Sequence, residues 1–372
     1  MKKVISIVLN NFTNDNRVLK ENLTLLNNGY NPTIVAFNEG NLPEKENISG
    51  LEVRRIRILT NTWNTSTPVK ILNYLFFIFK FLITFNKADI YHCNDLNGLL
   101  VGLLAKFFFC NKAKIVYDAH EYEIETSGMG KYKRLFAHLL EGILIKHADL
   151  VVTVSDSIAN EYIRLYDIKK PTLVLNCPAY KPIIKHDLFR EELGIRKDQK
   201  IYIYQGALSK DRGLDKLLDY FSSLKDNSKV IIFMGYGSME KEIRECKSPN
   251  VYFHKAVSGS DLLKYTSSAD YGVFVYENHC KNIYYCLPNK LFEFMHAGLP
   301  VIVANLYELS RFVKNNEIGV VAESTSKESM EKAILEIEKL DYQKMSQNAL
   351  NLAKEYCWEN QEKELIKAYK SI

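Results

Sequence analysis

Several features that would commit a chain of this length to a particular chemistry are missing. The seven cysteines are scattered singly, with no C-x-x-C pair, which excludes a zinc ribbon or a disulfide framework and implies a reducing compartment. The loop after the first apolar stretch, residues 10–16, holds no glycine, so a glycine-rich dinucleotide fingerprint is excluded there. Charge of one sign is scarce: 49 Lys and Arg against 44 Asp and Glu leave +5, too little for a dedicated nucleic-acid binder. Residues 1–180 hold 21 Lys and Arg against 17 Asp and Glu, so the small excess sits mostly in the first half and suits an anionic membrane surface. The apolar run after Met1-Lys2-Lys3 lasts only about six residues before Asn10 and Asn11, which makes it a first strand and no signal segment. The expectation is a cytoplasmic protein.

What is present is an ordinary globular composition, 47% hydrophobic and 25% charged over 372 residues, long enough for two domains of usual size. Strand-like and helix-like stretches alternate twice. In the first half, an apolar strand, a polar loop, an amphipathic helix from Arg17 and a second strand from Pro32 open a doubly wound sheet, whose ligands gather at the carboxyl ends of the strands. Two later strands end in polar clusters at that same edge: Asn94 and Asp95 after one, Asp118, His120 and Glu121 after the next. Arg17 stands at the loop–helix junction, where an arginine reaches an anion. Residues 69–85 and 131–146 are apolar with basic flanks. The first is shorter than the ~20 residues that span a bilayer, and both suit core packing or an interface-lying helix.

The second half restarts the alternation from residue 200. A loop containing Gly206, Arg212 and Gly213 follows its first strand and precedes a helix, a phosphate cradle in kind though not a Walker loop. Gly235 and Gly237 follow the next strand, and Glu240 stands where a third glycine would be needed for a dinucleotide fingerprint. The chain is organised around residues 287–304: Pro288 at a helix start, Lys290 and Glu293 on one side of its first turns, Gly298 as the stop, then a buried strand from Val301. A helix N-terminus with a lysine favours an anion, and a carboxylate one turn on accepts from hydroxyls.

These residues together resemble the retaining glycosyltransferases of family 4, which have the GT-B fold. The likeness rests on residues 206–213, Gly235 with Gly237, residues 268–270 and, most specifically, Pro288, Asn289, Lys290, Glu293, Gly298 and Pro300. Residues 117–121, 154–156 and 176–178 add landmarks in the first half. The resemblance implies two Rossmann-like doubly wound α/β domains facing a cleft: residues 1–180 for the acceptor, 181–355 for the nucleotide sugar, and 356–372 as a helix crossing back to the first. It also implies transfer of a sugar from a UDP- or GDP-linked donor to a glycan or lipid-linked acceptor, in surface polysaccharide biosynthesis, at the inner face of the cell membrane and without nucleic acid.

Carried over residue by residue, the resemblance gives His120, Arg212 and Lys290 catalytic roles. Gly206, Arg212, Gly235, Lys290, Leu291 and Glu293 would bind the donor nucleotide, Arg212 pairing with its diphosphate and Glu293 with its ribose. Arg17, Asn94, Asp95, Glu121 and Tyr285 would line the acceptor side or cleft. Two positions depart from the pattern: Tyr285 replaces the first glutamate of the E-x7-E motif, and Ala207 replaces a diphosphate-binding arginine of many relatives. No Asp-x-Asp triplet occurs anywhere, and the metal that GT-A enzymes hold on that motif is not expected here, nor any other cofactor. A nucleotide-sugar 2-epimerase and a silent sugar-nucleotide-binding subunit share the same frame and remain open at this point; a Rossmann oxidoreductase lacks its glycines.

Overall fold

The computed structural model describes residues 1–60, 62, 66–126 and 128–372. It is a two-unit α/β chain: Met1–Leu175 with Gln361–Ile372 form one compact unit and Asn176–Asn360 the other. The sequence places the boundaries at 180 and 355, five residues away on each side. Local hydrogen bonds explain the difference. Leu175 N–H donates to the Gln361 side chain, inside the first unit. In the second, Trp358 N–H donates to the Pro178 carbonyl and Tyr180 N–H to the Glu359 carboxylate.

The first unit is built on an eight-stranded sheet in the order β3-β4-β2-β1-β5-β6-β7-β8. Its strands are β1 (Lys2–Ile7), β2 (Tyr30–Asn38), β3 (Lys45–Ile48), β4 (Leu51–Arg57), β5 (Ile90–Asn94), β6 (Lys114–Ala119), β7 (Leu150–Thr153) and β8 (Thr172–Leu173). All neighbours pair in parallel except β3 with β4. The β3–β4 hairpin is not signalled by hydropathy, because Arg54, Arg55 and Arg57 interrupt it. Arg55 is nevertheless buried. Its guanidinium donates to the carbonyls of Asn11 and Pro43 and to Glu46, which fixes the loop after β1.

The helices are α1 (Asn16–Asn27), α2 (Thr67–Thr84), α3 (Asp95–Phe109), α4 (Lys131–Leu144) and α5 (Asp156–Tyr166). The chain steps one way along the sheet from β1 to β2 and the opposite way through β4, β5, β6 and β7. Right-handed crossovers then put α1 on one face and α2, α3 and α4 on the other. Accordingly α2 packs on α3 and α3 on α4. The strands are buried on both faces: β5 is buried at every position, its polar His92 and Asn94 included, and β2 at all but Asn31.

The second unit has a six-stranded parallel sheet, β11-β10-β9-β12-β13-β14. Its strands are β9 (Lys200–Ala207), β10 (Lys229–Tyr236), β11 (Val251–Lys255), β12 (Tyr271–Phe274), β13 (Val301–Ala304) and β14 (Gly319–Ala322). The helices are α6 (Leu188–Leu193), α7 (Leu214–Ser222), α8 (Glu240–Glu245), α9 (Leu262–Ser267), α10 (Lys281–Tyr284), α11 (Asn289–His296), α12 (Tyr307–Asn315), α13 (Lys327–Ile337) and α14 (Tyr342–Glu355), while α15 (Trp358–Tyr369) begins here and from Gln361 on belongs to the first unit.

Helix α11 follows from its residues. Pro288 lies one position before it, as the N-cap with extended backbone, where its missing N–H is no loss. Leu291, Phe292, Phe294 and Met295 are buried, giving the short helix its driving force. Gly298 ends it at φ +67°. Gly298 N–H donates to the Met295 carbonyl and Leu299 N–H to that of Phe294, the double bond pattern of a left-handed C-terminal stop.

Candidate functional site

In the second unit, the carboxyl ends of β9, β10 and β12 and the start of α11 bring the expected donor-binding residues together. β9 and β10 end in register, Gly206 opposite Gly235. A Cβ on Gly235 would stand 1.9 Å from the Gly206 carbonyl oxygen, so this glycine is required by backbone contact before any ligand is considered. Gly206 has φ +116°, and a Cβ there would meet the Lys290 Nζ at 3.2 Å. The missing side chain at 206 is thus space used by the lysine ammonium.

Lys290 reaches back from α11 across the strand ends. Its Nζ donates to the Tyr204 hydroxyl at 3.1 Å and lies 4.1 Å from the centroid of the Tyr204 ring and 5.2 Å from that of Tyr276. The Arg212 guanidinium sits 5.1 Å from the same Tyr276 ring. Two cations therefore converge on one aromatic ring, a geometry that cation–π attraction supports but like charge opposes. Burial, then the nearby Arg212 charge, push the Lys290 pKa down to about 7. Glu293, on the same side of α11, accepts from Gln205 Nε2 at 2.5 Å. The Gln205 Oε1 in turn accepts from the Thr266 hydroxyl at 2.8 Å, so the carboxylate is oriented through a buried relay.

Leu291 departs from expectation. Its side chain is fully buried and its N–H donates to the Pro288 carbonyl, so it is a core residue of α11 and offers no side-chain contact to a nucleotide. Tyr285 caps α10 and lies in an aromatic group, its ring centroid 5.2 Å from that of Tyr284 and 6.1 Å from that of Tyr307. The residue in place of the family's first glutamate thus presents an aromatic surface. Tyr204, Gln205, Thr266 and Tyr276 carry no motif in the sequence; only the fold brings them beside Lys290 and Glu293.

In the first unit, the strand ends hold a buried ionic cluster. Arg17, only 5% exposed, pairs with Asp118 at 2.8 Å and with Glu21 at 3.0 Å and donates to the Val174 carbonyl. The arginine expected to reach an anion is instead consumed by these carboxylates and a carbonyl. Asn94 is also buried, its amide donating to the Ile7 carbonyl at 2.9 Å, so it ties β5 to β1 and does not line a ligand surface. Glu121 is exposed.

His120 and Asp95 do come together. His120 Nε2 is 3.1 Å from Asp118 Oδ2 and its Nδ1 is 3.8 Å from Asp95 Oδ1. Asp95 holds a left-handed φ of +61° while also accepting from the His120 N–H. Burial opposes charge on His120, but Asp95 and Asp118 outweigh it and hold its pKa up at about 10. Behind it, His92 stands 3.5 Å from both Glu21 and Asp118 and hydrogen-bonds the Tyr369 hydroxyl. Glu21, Asp118 and His120 are a ligand set of metal-binding type among the described residues; the Arg17 guanidinium already supplies positive charge to both carboxylates.

Comparison with known proteins agrees with this geometry. The model described as "Glycosyl transferases group 1" matches residues 185–352 and that described as "Glycosyltransferase Family 4" matches residues 23–178. An uncharacterized glycosyltransferase of Methanocaldococcus jannaschii is 24% identical over 93% of this chain and 91% of its own length. Among solved structures, sucrose-phosphate synthase from Thermosynechococcus elongatus superposes with a TM-score of 0.81 at 15% identity, covering 100% of this chain and 99% of that one. The Anabaena protein HepE, solved in complex with UDP-glucose, superposes at 0.76 with 14% identity and 100% of both chains covered. The fold is that of the GT-B glycosyltransferases, and the chain belongs to the family 4 glycosyltransferases.

Proposed function

We propose that this glycosyltransferase takes its sugar from a UDP- or GDP-linked donor, retains the anomeric configuration, needs no metal, and acts on a glycan or lipid-linked acceptor in surface polysaccharide biosynthesis on the cytoplasmic side. The carrying observation is the convergence of Arg212 and Lys290 on the Tyr276 ring. Two like charges beside each other, one with its pKa pushed down to about 7, are relieved by an anion. A diphosphate has the charge and reach for both. The UDP-glucose bound to HepE supports that choice of ligand.

The chemistry follows from the same residues. Cleavage of the bond between the sugar carbon and the phosphate oxygen leaves its electron pair on the diphosphate. Arg212 and Lys290 stabilise that growing charge without a metal. The acceptor hydroxyl attacks from the face the phosphate leaves, its proton passing to the departing phosphate oxygen, so no protein nucleophile is required. In the first unit, both ring nitrogens of His120 face carboxylates, which suits an imidazolium and disfavours a general base.

The test is transfer and binding with a panel of UDP- and GDP-sugars. Arg212→Ala and Lys290→Ala should each lower kcat/KM by about 10²-fold or more, in the range of lost transition-state donors, with the thermal midpoint kept. Full activity in both variants would sink this assignment. The anomeric proton signals of the first product formed decide retention, and turnover abolished by a chelator would overturn metal independence.

A further inference from the structure

The first unit carries an apolar surface that its own fold leaves open. Helix α2 buries Asn73, Phe77 and Phe81 against the domain, pinned by the Asn73 amide on the Thr60 hydroxyl and by the Tyr74 hydroxyl on the Asn97 carbonyl. Its other side presents Leu72, Leu75 and Phe79, each more than half exposed. Beside it, α3 ends in Phe108, 71% exposed, and α4 turns out Phe136 and Leu139 at 67% and 58%. The crossover rule and the α2–α3–α4 packing put all three helices on one face of the sheet. Large apolar side chains left exposed together on neighbouring helices mark an interaction site.

The unpaired charge on these helices is basic, since Lys106 is already matched by Asp149 and Arg134 by Glu125. What remains is Lys70 and Lys80 on α2 and Lys131 and Lys133 on α4. The acids on these helices are Glu141, which is fully buried under three tyrosine hydroxyls, and Asp95, at the far end of α3 beside His120. Apolar side chains interleaved with lysines are the composition of a helix lying in a headgroup layer. We propose that the outer face of α2, α3 and α4 docks this chain on an anionic lipid bilayer.

The same observations disfavour other occupants. α2 is 18 residues long with mean hydropathy 1.4, but it connects β4 to β5 within one sheet and is pinned to it, so it cannot leave the domain to span a bilayer. A second copy meeting through a two-fold axis would set Lys131 and Lys133 against a like-charged face. Anionic lipid instead matches the basic charge and receives the apolar side chains.

Sedimentation of the full chain with vesicles tests this independently of the sugar-transfer reading, which nucleotide binding without vesicles reports. The chain should bind vesicles of equal parts phosphatidylcholine and phosphatidylglycerol about tenfold or more tightly than pure phosphatidylcholine, and lose that preference as salt is raised. Leu75→Gln, Phe79→Gln, Phe136→Gln and Leu139→Gln combined should keep the melting midpoint and UDP binding while losing about tenfold or more in vesicle binding. Lys131→Glu with Lys133→Glu should remove the anionic preference alone. The proposal is overturned if the unsubstituted chain stays in the supernatant with both vesicles, if it binds them without salt dependence, or if the four-site variant sediments as before. It is overturned equally if the chain is dimeric without lipid and the four-site variant makes it monomeric.

Discussion

Lys290 is held where its charge is at a disadvantage, under Tyr204 and Tyr276 and beside Arg212. Its pKa, pushed down to about 7, makes donor affinity a function of pH. The ammonium is needed for a diphosphate, so affinity should be highest below that value and fall as pH rises through it, with proton uptake on binding near neutrality. Calorimetric titration of UDP and GDP across this range in two buffers of different ionisation heat checks the sign. Lys290→Arg should keep charge throughout and flatten the profile, whereas Lys290→Ala should flatten it at weak affinity. An unchanged profile in either variant would assign the titration elsewhere. Gly235 makes a separate prediction. With the Gly206 carbonyl oxygen 1.9 Å from a Cβ position, Gly235→Ala should destabilise by about 1–3 kcal/mol through overpacking, read as a lower urea midpoint.

At the level of elements, the cluster at the ends of β5 and β6 joins four pieces of chain: Arg17 and Glu21 from α1, His92, Asp118, and Tyr369 from α15. Burial pushes the Asp118 carboxyl up, but Arg17 and His120 overcome this and hold it well below the usual range. Burial likewise opposes charge on His92, but the Asp118 and Glu21 carboxylates beside it raise it to about 9. The pH window follows from these directions. The two histidines contribute stability that is complete below the unfolded value near 6.5 and lost as pH rises through about 9 and 10. Asp118 contributes above its unfolded value and loses that contribution in acid. Melting midpoints should therefore decline on both sides of neutrality. Asp118→Asn, which leaves the buried Arg17 with Glu21 as its remaining carboxylate, should cost about 3–5 kcal/mol and flatten the alkaline decline. A midpoint within one degree or so of the unsubstituted chain, given ~2–4 °C per kcal/mol for domains of this size, would show that Arg17 and Glu21 suffice.

For the whole molecule, donor binding by residues 204–212, 276, 290 and 293 should appear as hydrogen-exchange protection confined to Asn176–Asn360 when UDP or GDP is added. Protection appearing first around His120 would move the nucleotide to the other unit. Much of this organisation is legible in the chain. The two alternations of strand and helix, the stop at Gly298 and the Lys290–Glu293 spacing are local patterns of hydropathy, backbone freedom and helical period, so they survive without a fold. The β3–β4 hairpin is not legible, because Arg54, Arg55 and Arg57 interrupt its pattern and Arg55 becomes an interior residue only by bonding the loop after β1.

Which residue types reach the strand ends follows from the chain alone, since a parallel strand ending in polar residues delivers them to one edge whatever packs around it. What each does there depends on its neighbours in the folded chain. Arg17 and Asn94 looked like ligand contacts and are ties inside the first unit. Leu291 looked like part of a nucleotide floor and is core. Lys290, by contrast, gains its meaning from residues far away in the chain, Tyr204, Gly206, Arg212 and Tyr276. The physical reason is the same in every case. A charged or polar side chain takes the partner that burial forces on it, and which partner that is depends on distances between segments that no local pattern encodes.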